Sequence, residues 1–369
     1  MQLTVSKETL MLALNRAQGI VGKKSTMPIL SNILLETIST DRFTVTATDL
    51  DIFAKGEYEG LVDKAGQICV NAKDLYDITR NLPAGNIRIE TVSKSNVQVT
   101  SGKITFKILS TNVEDYPSMP DFGEVNYLPM DAKVIHDLID HTLFSVATDD
   151  PRIFLNGVNF EKLEDNKARM VSTDGHRLSL IDREVEADFD LEKPVIIPRK
   201  GLIELRKMLE ESKEGFELAF NPSNGFFKRD DLLLVMRLIE GDFPDYNMVI
   251  PKSSEKAATM DKKAFQDALK RMSILSADRS FGVRFIFQPG KLTIESSDPE
   301  KGEGREILDI AYDGDEMQIG FNARYFLDST NVLVGETIIL ELSDELSPCV
   351  VKEQEDENFL CVVMPVRIN

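Results

Sequence analysis

Residue types that commonly perform catalysis are few and widely spaced in this sequence of 369 residues. The three histidines are His136, His141 and His176. His136 and His141 are five positions apart and would diverge around a helix, whereas zinc-binding pairs on a helix are four apart. Asp149, Asp150 and Asp174 could assist a metal, but there is no H-E-x-x-H motif, glycine-rich phosphate loop or nucleophile elbow. We therefore expect a protein that is not an enzyme and that holds no metal or cofactor.

The cysteines and the apolar residues indicate where the protein works. Cys69, Cys349 and Cys361 are far apart and form no C-x-x-C pair. Their spacing argues against a disulfide framework or a zinc site and for a reducing, cytoplasmic environment. The first residues lack a basic stretch followed by an apolar run, so we expect no signal peptide. Since no apolar run is long enough to span a bilayer, we expect no membrane partner.

The distribution of charge bears on nucleic-acid binding. The net charge of −19 counts against an ordinary nucleic-acid binder, which is usually basic. Phosphate binding depends, however, on where the 43 lysines and arginines lie. Residues seven apart share a helix face. Four basic pairs have this spacing in predicted helices: Lys73 and Arg80, Arg199 and Arg206, Lys200 and Lys207, Lys263 and Lys270. The pairs predict a basic helical surface for DNA, although solvated helix faces commonly carry such residues too.

The elements that must position these residues belong to a threefold internal repeat. Val70–Leu75 matches Ile197–Leu202 at an offset of 127 residues, and Phe321–Phe326 matches both a further 124 residues along. A second match joins Val45–Asp49, Val171–Asp174 and Glu295–Asp298. A third joins Glu114–Pro117 and Gly241–Pro244. Matches that hold nearly one offset indicate three copies of one structural unit.

We therefore predict three domains, covering residues 1–122, 130–251 and 252–369. An early helix in each is predicted by apolar residues at helical spacing: Leu10, Ala13, Leu14 and Ala17; Ile135, Leu138 and Ile139; Phe265, Ala268, Leu269 and Met272. A second helix is predicted over Lys73–Leu82, Arg199–Leu209 and Asn322–Val332. Alternating segments such as Phe43–Ala47 and Lys291–Ile294 predict strands. Each domain then has two helices packed on antiparallel sheets of about eight strands, an α+β class.

Packing geometry limits what the six helices of one chain can enclose. Six helices packed in a circle roughly 8–10 Å apart leave a hole of about 8 Å, too narrow for a duplex. Twelve helices leave a hole of roughly 25 Å, which is wide enough. A ring around DNA would therefore need two copies, with the first domain of one against the third domain of the other.

Short motifs occur in a defined order along the whole chain. They are Pro28–Asn32, Thr48–Asp51, Asn81–Pro83, Thr173–Leu178, Pro198–Gly201, Phe243–Tyr246, Gly320–Asn322 and Val363–Arg367. This set resembles the bacterial DNA sliding clamps, the beta subunits of DNA polymerase III. The resemblance implies a head-to-tail homodimeric ring of six similar domains around double-stranded DNA. It also implies a processivity factor that tethers the polymerase III alpha subunit, the clamp loader delta subunit and other proteins with a clamp-binding motif.

The same resemblance implies a peptide-binding groove between the second and third domains. By position, its residues would be Leu155, Thr173, Gly175, His176, Arg177, Leu178, Pro244, Met248, Val249, Asn322, Tyr325, Val362, Val363, Met364, Pro365, Val366 and Arg367. Apolar side chains would bind the apolar residues of a short motif, and Arg177, His176 and the backbone its polar groups. Two alternatives stay open: Asp174–His176 could be a turn with a catalytic histidine, and Leu155 or Val362 could be ordinary core.

The resemblance also implies DNA and dimer contacts. The basic positions facing the duplex would be Lys24, Lys73, Arg80, Arg199 and Lys200. A loop with Arg152, Ile153 and Phe154 occupies a position where relatives touch DNA. Phe106 would meet Ile274 and Leu275 across the dimer interface, the alternative for each being ordinary core. A third class of function is a repeat scaffold that binds proteins but not DNA, and ring closure would distinguish it.

Overall fold

The computed structural model describes residues 1–22, 27–120, 123–185, 191, 193–211, 215–229, 231–252, 254–276 and 281–367. Within them lie six α-helices: α1 Lys7–Ile20, α2 Ala72–Asn81, α3 Ala132–Asp140, α4 Arg199–Glu211, α5 Lys262–Met272 and α6 Ala323–Val332. Short 3-10 helices cover Pro28–Ser31, Val113–Asp115, Leu143–Ser145, Ile153–Asn156, Tyr246–Met248 and Ser273–Leu275. None of the described helices is long and apolar enough to cross a membrane.

Twenty-five strands accompany these helices in the described residues. They are β1 Gln2–Ser6, β2 Asn32–Thr37, β3 Arg42–Thr48, β4 Ile52–Glu59, β5 Leu61–Lys64, β6 Gln67–Asn71, β7 Asn86–Ser93, β8 Asn96–Ser101, β9 Ile104–Thr111, β10 Leu128–Pro129, β11 Gly157–Leu163, β12 Lys167–Thr173, β13 Arg177–Glu184, β14 Val195–Pro198, β15 Glu217–Phe220, β16 Asn224–Arg229, β17 Leu232–Arg237, β18 Lys256–Asp261, β19 Gly282–Gln288, β20 Lys291–Asp298, β21 Gly302–Asp309, β22 Met317–Asn322, β23 Thr337–Leu342, β24 Cys349–Glu353 and β25 Phe359–Val363. The predicted α+β class, with two helices and eight or nine strands in each repeat, is confirmed.

The helices form where apolar spacing and capping residues agree. Four of them begin after a side chain that accepts a hydrogen bond from a backbone N–H of the first turn, as N-caps do; these caps are Ser6, Asn71, Asp261 and Asn322. All the predicted apolar positions of α1, α3 and α5 are buried except Met272, which is half-buried. Replacing one such residue, Leu14, by Ala would cost about 2–5 kcal/mol of stability.

The chain divides into two compact units, and the first comprises Met1–Ala132 and Lys200–Leu238. Its antiparallel sheet has thirteen strands in the order β10-β15-β16-β17-β4-β3-β2-β6-β9-β8-β7-β1-β5. β17 lies beside β4, with Met236 opposite Ile52. Strands of the first and second repeats therefore form one continuous sheet, against which α1 packs together with α2.

The second unit comprises Lys133–Arg199 and Ile239–Asn369. It contains an eight-stranded sheet, β14-β11-β12-β13-β25-β24-β23-β18, and a four-stranded sheet, β21-β20-β19-β22. β13 lies beside β25, with Arg177 opposite Val363, so strands of the second and third repeats are also joined. α5 packs against α6 through Phe265 and Phe326, whose ring centroids are 5.9 Å apart.

Candidate functional site

The second unit contains a pocket of about 250 Å³. Its lining residues are Arg152, Phe154, Leu155, Thr173, Gly175, Arg177, Leu178, Phe243, Pro244, Asp245, Tyr246, Val249, Val362 and Met364. They come from the 3-10 helix Ile153–Asn156, the turn between β12 and β13, the segment around Tyr246–Met248 and the end of β25. We call this pocket the groove.

The floor of the groove is part of the hydrophobic core. Leu178, Tyr246 and Val362 are buried in one cluster with Val171 and Leu180. At the rim, Val249 is 40% exposed, so the apolar surface continues from the core to solvent. A concave, mostly apolar surface with few fixed polar groups is typical of a ligand or peptide site.

Arg177 is the fixed polar group of the groove. Its guanidinium donates hydrogen bonds to Asp174 (3.0 Å), Asp328 (2.7 Å) and the Phe144 carbonyl (2.6 Å) and lies 4.6 Å from the Tyr325 ring centroid. Burial alone would lower the pKa of Arg177, but the bonds and charges of Asp328 and Asp174 outweigh it and raise that pKa. The guanidinium is therefore a permanent, immobile cation at the groove wall.

The turn before Arg177 is held by side-chain to backbone hydrogen bonds. Asp174 Oδ1 accepts from the N–H groups of His176 (2.9 Å) and Arg177 (3.1 Å). Thr173 Oγ1 accepts from the Gly175 N–H at 3.0 Å. Gly175 has φ +87°, a left-handed conformation that favours glycine. The His176 carbonyl accepts from the Met364 N–H at 2.9 Å, which ties the turn to the C-terminal segment.

The groups that could do acid-base or metal chemistry are engaged in structural contacts. His136 and His141 each contact a separate aspartate, Asp140 at 3.4 Å and Asp137 at 3.1 Å. Hydrogen bonds from Arg152 lower the pKa of Asp150 to about 2. Among the described residues, no group of three or more His, Cys, Asp or Glu side chains is arranged to hold a metal ion.

The structure brings nine of the residues predicted for the groove into its lining: Leu155, Thr173, Gly175, Arg177, Leu178, Pro244, Val249, Val362 and Met364. His176 and Tyr325 are not lining residues but stack on each other with ring centroids 6.5 Å apart, and the Tyr325 ring also contacts the lining residue Arg177. Asn322 is the N-cap of α6, Val363 is buried, and the Val366 N–H donates to the Gly320 carbonyl. Pro365 is half-buried and Arg367 is exposed. Met248 is not a lining residue of the pocket and is 83% exposed.

Sequence reasoning missed three lining residues and assigned two others elsewhere. Phe243, Asp245 and Tyr246 line the groove, and the signal was their position in the motif Phe243–Tyr246. Arg152 and Phe154, which we predicted to contact DNA, also line the groove. Their neighbour Ile153 is exposed.

The basic helix residues differ in how free their charges are. Lys73 bonds to Asp77 at 2.5 Å, whereas Arg80 is exposed with no ion pair to a described residue. Lys200 contacts the Asp49 carboxylate and the Ile20 carbonyl. Arg199 is half-buried. Lys24 lies outside the described residues.

Two strands with unpaired edge positions, one in each unit, bear on the predicted dimer interface. In the first unit, β9 pairs with β8 along its length but with β6 only at Ser110 and Thr111, and Phe106 on β9 is 41% exposed. In the second unit, β21 is the last strand of its sheet. The 3-10 helix Ser273–Leu275 packs beside β21, with Ile274 72% exposed and Leu275 half-buried. Phe106 and Ile274 are thus surface residues of one chain, so the core alternative fails for both.

Comparisons with known proteins agree over the whole chain. Family models described as DNA polymerase III beta subunit match it with their N-terminal domain at residues 1–120, central domain at 129–245 and C-terminal domain at 247–367. The beta sliding clamp of Caulobacter vibrioides (strain NA1000 / CB15N) is 34% identical over 373 residues, covering 100% of both chains. That of Escherichia coli (strain K12) is 33% identical over 370 residues, again covering 100% of both.

A solved structure gives the same result in three dimensions. The DnaN sliding clamp of Bartonella birtlesii, crystallised with griselimycin, matches with a TM-score of 0.94 and 33% identity over 100% of both chains. The three repeats are therefore three clamp domains. The bounds 1–122, 130–251 and 252–369 stay a prediction. The chain belongs to the family of bacterial beta sliding clamps, the DNA sliding clamps of DNA polymerase III.

Proposed function

We propose that two copies of this chain close head to tail around duplex DNA and that each tethers replication or repair proteins through its groove. The clamp itself is non-catalytic, works in the cytoplasm with the chromosome, and confers processivity by holding the polymerase on DNA. The observation that carries the proposal is the groove, where an apolar floor meets solvent beside one immobile cation.

The occupant of the groove is a short hydrophobic motif from the polymerase III alpha subunit, the clamp loader delta subunit or another partner. Burying one Leu or Phe side chain of such a motif contributes about 1.5–3 kcal/mol. Two apolar anchors could therefore hold a flexible peptide against the entropy that it loses on ordering. Arg177 and the backbone of Thr173–His176 supply the polar contacts that set its orientation.

Two neighbouring rim residues allow a matched test. Val249 lines the groove, whereas Met248 does not and is more exposed. Val249→Asp places a carboxylate on the apolar wall, and we expect it to weaken a polymerase-derived hydrophobic peptide at least about tenfold in calorimetry, since the anchor loses apolar contact. Met248→Asp adds the same charge one residue away and should change the affinity less than about threefold.

The outcome separates the groove from the general surface. If the two variants lose the same peptide affinity, the loss comes from added negative charge near the rim and not from a change in the pocket. Unchanged affinity in Val249→Asp would place the partner site elsewhere. Circular dichroism of both variants checks that the fold is intact, which the exposure of both side chains favours.

The internal repeat supports the ring. β4, β13 and β21 each follow the same turn in their own repeat, in which an aspartate Oδ1 accepts from backbone N–H groups two and three residues later: Asp49, Asp174 and Asp298. β9, β17 and β25 are the last long strands of the three repeats. β4 pairs with β17, and β13 pairs with β25. The third pair, β21 with β9, would join two copies head to tail and place Ile274 and Leu275 near Phe106.

The DNA contacts would be weak and independent of sequence. Lysine and arginine contacts to phosphate carry no base information. The net charge of −19 disfavours strong adhesion, and Lys73 and Lys200 are partly neutralised by aspartates. Lys24, Arg80, Arg199 and the loop Arg152–Phe154 complete the proposed set. Retention on DNA would then depend on ring closure rather than on affinity.

Ring closure makes a distinct prediction about salt. Electrostatic binding falls steeply with salt because each phosphate contact releases counterions. A closed ring loaded on circular DNA should instead survive high salt in gel filtration and leave when the circle is cut. Replacing Lys73, Arg80, Arg199 and Lys200 by Ala should impair loading more than retention. Salt-driven loss from an uncut circle would contradict encirclement.

A further inference from the structure

A second, larger pocket lies in the second unit and has no part in the groove. It has a volume of about 570 Å³ and is lined by Lys167, Asp182, Arg183, Glu184, Val334, Glu353, Glu355, Asp356 and Asn358. These residues come from the start of β12, the end of β13, the residues after α6, the end of β24 and the loop before β25. We call it the acidic pocket, because its five carboxylates outnumber its two basic groups.

Two of the five carboxylates are neutralised by arginines. The Arg169 guanidinium donates two hydrogen bonds to the Asp182 carboxylate, from Nε at 2.6 Å and from Nη2 at 2.7 Å. The Arg183 guanidinium donates hydrogen bonds to the carboxylates of Asp356 and Asp137. Glu184, Glu353 and Glu355 have no ion pair with a described residue, so the pocket keeps an excess of negative charge.

Glu353 is the strongest sign that a ligand belongs here. It is only 3% exposed, yet it lies in the lining of the acidic pocket. Its Oε2 accepts a hydrogen bond from the Gly335 N–H at 2.7 Å, while its Oε1 has no hydrogen-bond partner among the described residues. Buried polar atoms are almost always hydrogen-bonded, and a buried charge without a counter-charge is costly.

Glu355 lies close to Glu353 over a glycine. A Cβ placed on Gly335 would lie 2.1 Å from Glu355 Oε2 and 3.0 Å from Glu353 Oε2, so the two carboxylates converge on one point. Like charges that face the same small space repel each other, and a cation between them would relieve that repulsion. A side chain at position 335 would displace the Glu355 carboxylate from this arrangement.

The chemistry of the pocket restricts the cation. The described residues hold no cluster of three or more metal-ligating side chains. The volume far exceeds that of a single ion and falls in the range of small-molecule sites. Val334 adds an exposed apolar wall among the carboxylates. Carboxylates beside one apolar wall suit ammonium groups that are joined by a methylene chain.

We propose that the acidic pocket binds a linear polyamine, with one ammonium group between Glu353 and Glu355 and a second near Glu184. Charge-assisted hydrogen bonds from that first ammonium group satisfy Glu353 Oε1 and relieve the repulsion between the two glutamates. The methylene spacer packs against Val334.

The test is calorimetry of the full chain with spermidine, using variants of equal charge. Glu353→Gln and Glu355→Gln should each weaken binding about tenfold or more, because each removes one charged hydrogen-bond acceptor. Glu345→Gln is the matched control: Glu345 is exposed, outside the pocket and without an ion pair to a described residue. It should leave the affinity unchanged, which separates the site from general attraction to an acidic protein. A single site per chain is expected.

Further measurements with a second variant and with other cations identify the class of ligand. Glu355 is exposed, so Glu355→Gln tests the site even if Glu353→Gln folds poorly. Nα-acetyl-lysine methylamide carries one ammonium group and should bind at least about tenfold more weakly than spermidine. Equal affinity for the lysine derivative would assign the pocket to a partner's lysine and overturn the polyamine. If the chain binds magnesium and Glu353→Gln abolishes that binding, the pocket is a metal site and the polyamine proposal is overturned. Equal binding to all three glutamine variants, or none to the parent chain, would overturn the site.

Discussion

The chain builds the same junction between repeats twice, and only one of the two junctions lines the groove. At the first, β17 lies beside β4 with Met236 opposite Ile52; at the second, β25 lies beside β13 with Val363 opposite Arg177. The turns before these strands are also alike. Thr48 Oγ1 accepts from the Leu50 N–H at 2.9 Å, as Thr173 Oγ1 accepts from the Gly175 N–H at 3.0 Å.

The return segments match too. The Arg237 N–H donates to the Asp51 carbonyl at 2.8 Å, and the Met364 N–H donates to the His176 carbonyl at 2.9 Å. The backbone framework is therefore shared, and the difference lies in a few side chains. Where the first junction has the buried Ile52, the second has Arg177, which is fixed by two aspartates. A repeated fold can thus acquire a site at one copy by side-chain changes alone.

The largest expected effect concerns the junction that two copies would form. Replacing Ile274 and Leu275 together by Asp should yield a folded monomer, because apolar contact worth a few kcal/mol at about 25 cal/mol per Å² is lost between chains. Sedimentation should then give a mass near the 41.5 kDa of one chain. Leu346→Asp, at an exposed position elsewhere, is the control and should stay dimeric. A dimeric double variant would show that β21 and its neighbours do not form the interface.

The next effect tests whether Arg177 makes the two intrachain junctions different in energy as well as in chemistry. Arg177→Ile introduces the residue type that Ile52 has at the first junction, and it leaves Asp174 and Asp328 without the Arg177 guanidinium. We expect the free energy of unfolding in urea to fall by about 2–3 kcal/mol, less than for a fully buried pair because both aspartates are partly exposed.

Arg324 offers a matched control for that measurement. It also contacts Asp328, at 3.9 Å, but its side chain is exposed. Arg324→Ile should therefore cost less than about 1 kcal/mol. If the two variants lose the same free energy of unfolding, the ion pairs of Arg177 at the groove stabilise the fold no more than an exposed ion pair does.

The smallest effect compares the two turns directly. Leu50 and Gly175 hold equivalent positions with φ +82° and +87°. Gly175→Leu should lower the free energy of unfolding by about 1–2 kcal/mol, because left-handed backbone is costly for a residue with a Cβ. Leu50→Gly should change it by less than about 1 kcal/mol, since relieved strain is offset by a more flexible unfolded chain. Thermal melting of both variants measures the difference in stability between the two substitutions. A Gly175→Leu variant that is more stable than the parent chain would contradict the equivalence of the two turns.

The sequence by itself determined the repeated unit. The apolar spacing of Leu10–Ala17 and Phe265–Leu269 and the alternation in Phe43–Ala47 are local periodicities, so they predicted the helices and strands close to their observed bounds. The motif residues Thr173–Leu178 predicted the turn at the groove. Such features depend on neighbours in sequence, and they can be recognised without knowing what packs against them.

Only the tertiary structure decided which side chains share a surface. Phe154 and Arg152 line the groove together with Val362, about two hundred residues away along the chain, because β13 pairs with β25. Glu353 and Glu355 lie beside Gly335 in the acidic pocket, although Gly335 is about twenty residues away along the chain. Ile274 is exposed while Leu269, five residues earlier, is buried. Burial and pairing follow from contacts between distant strands and helices, and the local pattern of a single sequence does not contain those contacts.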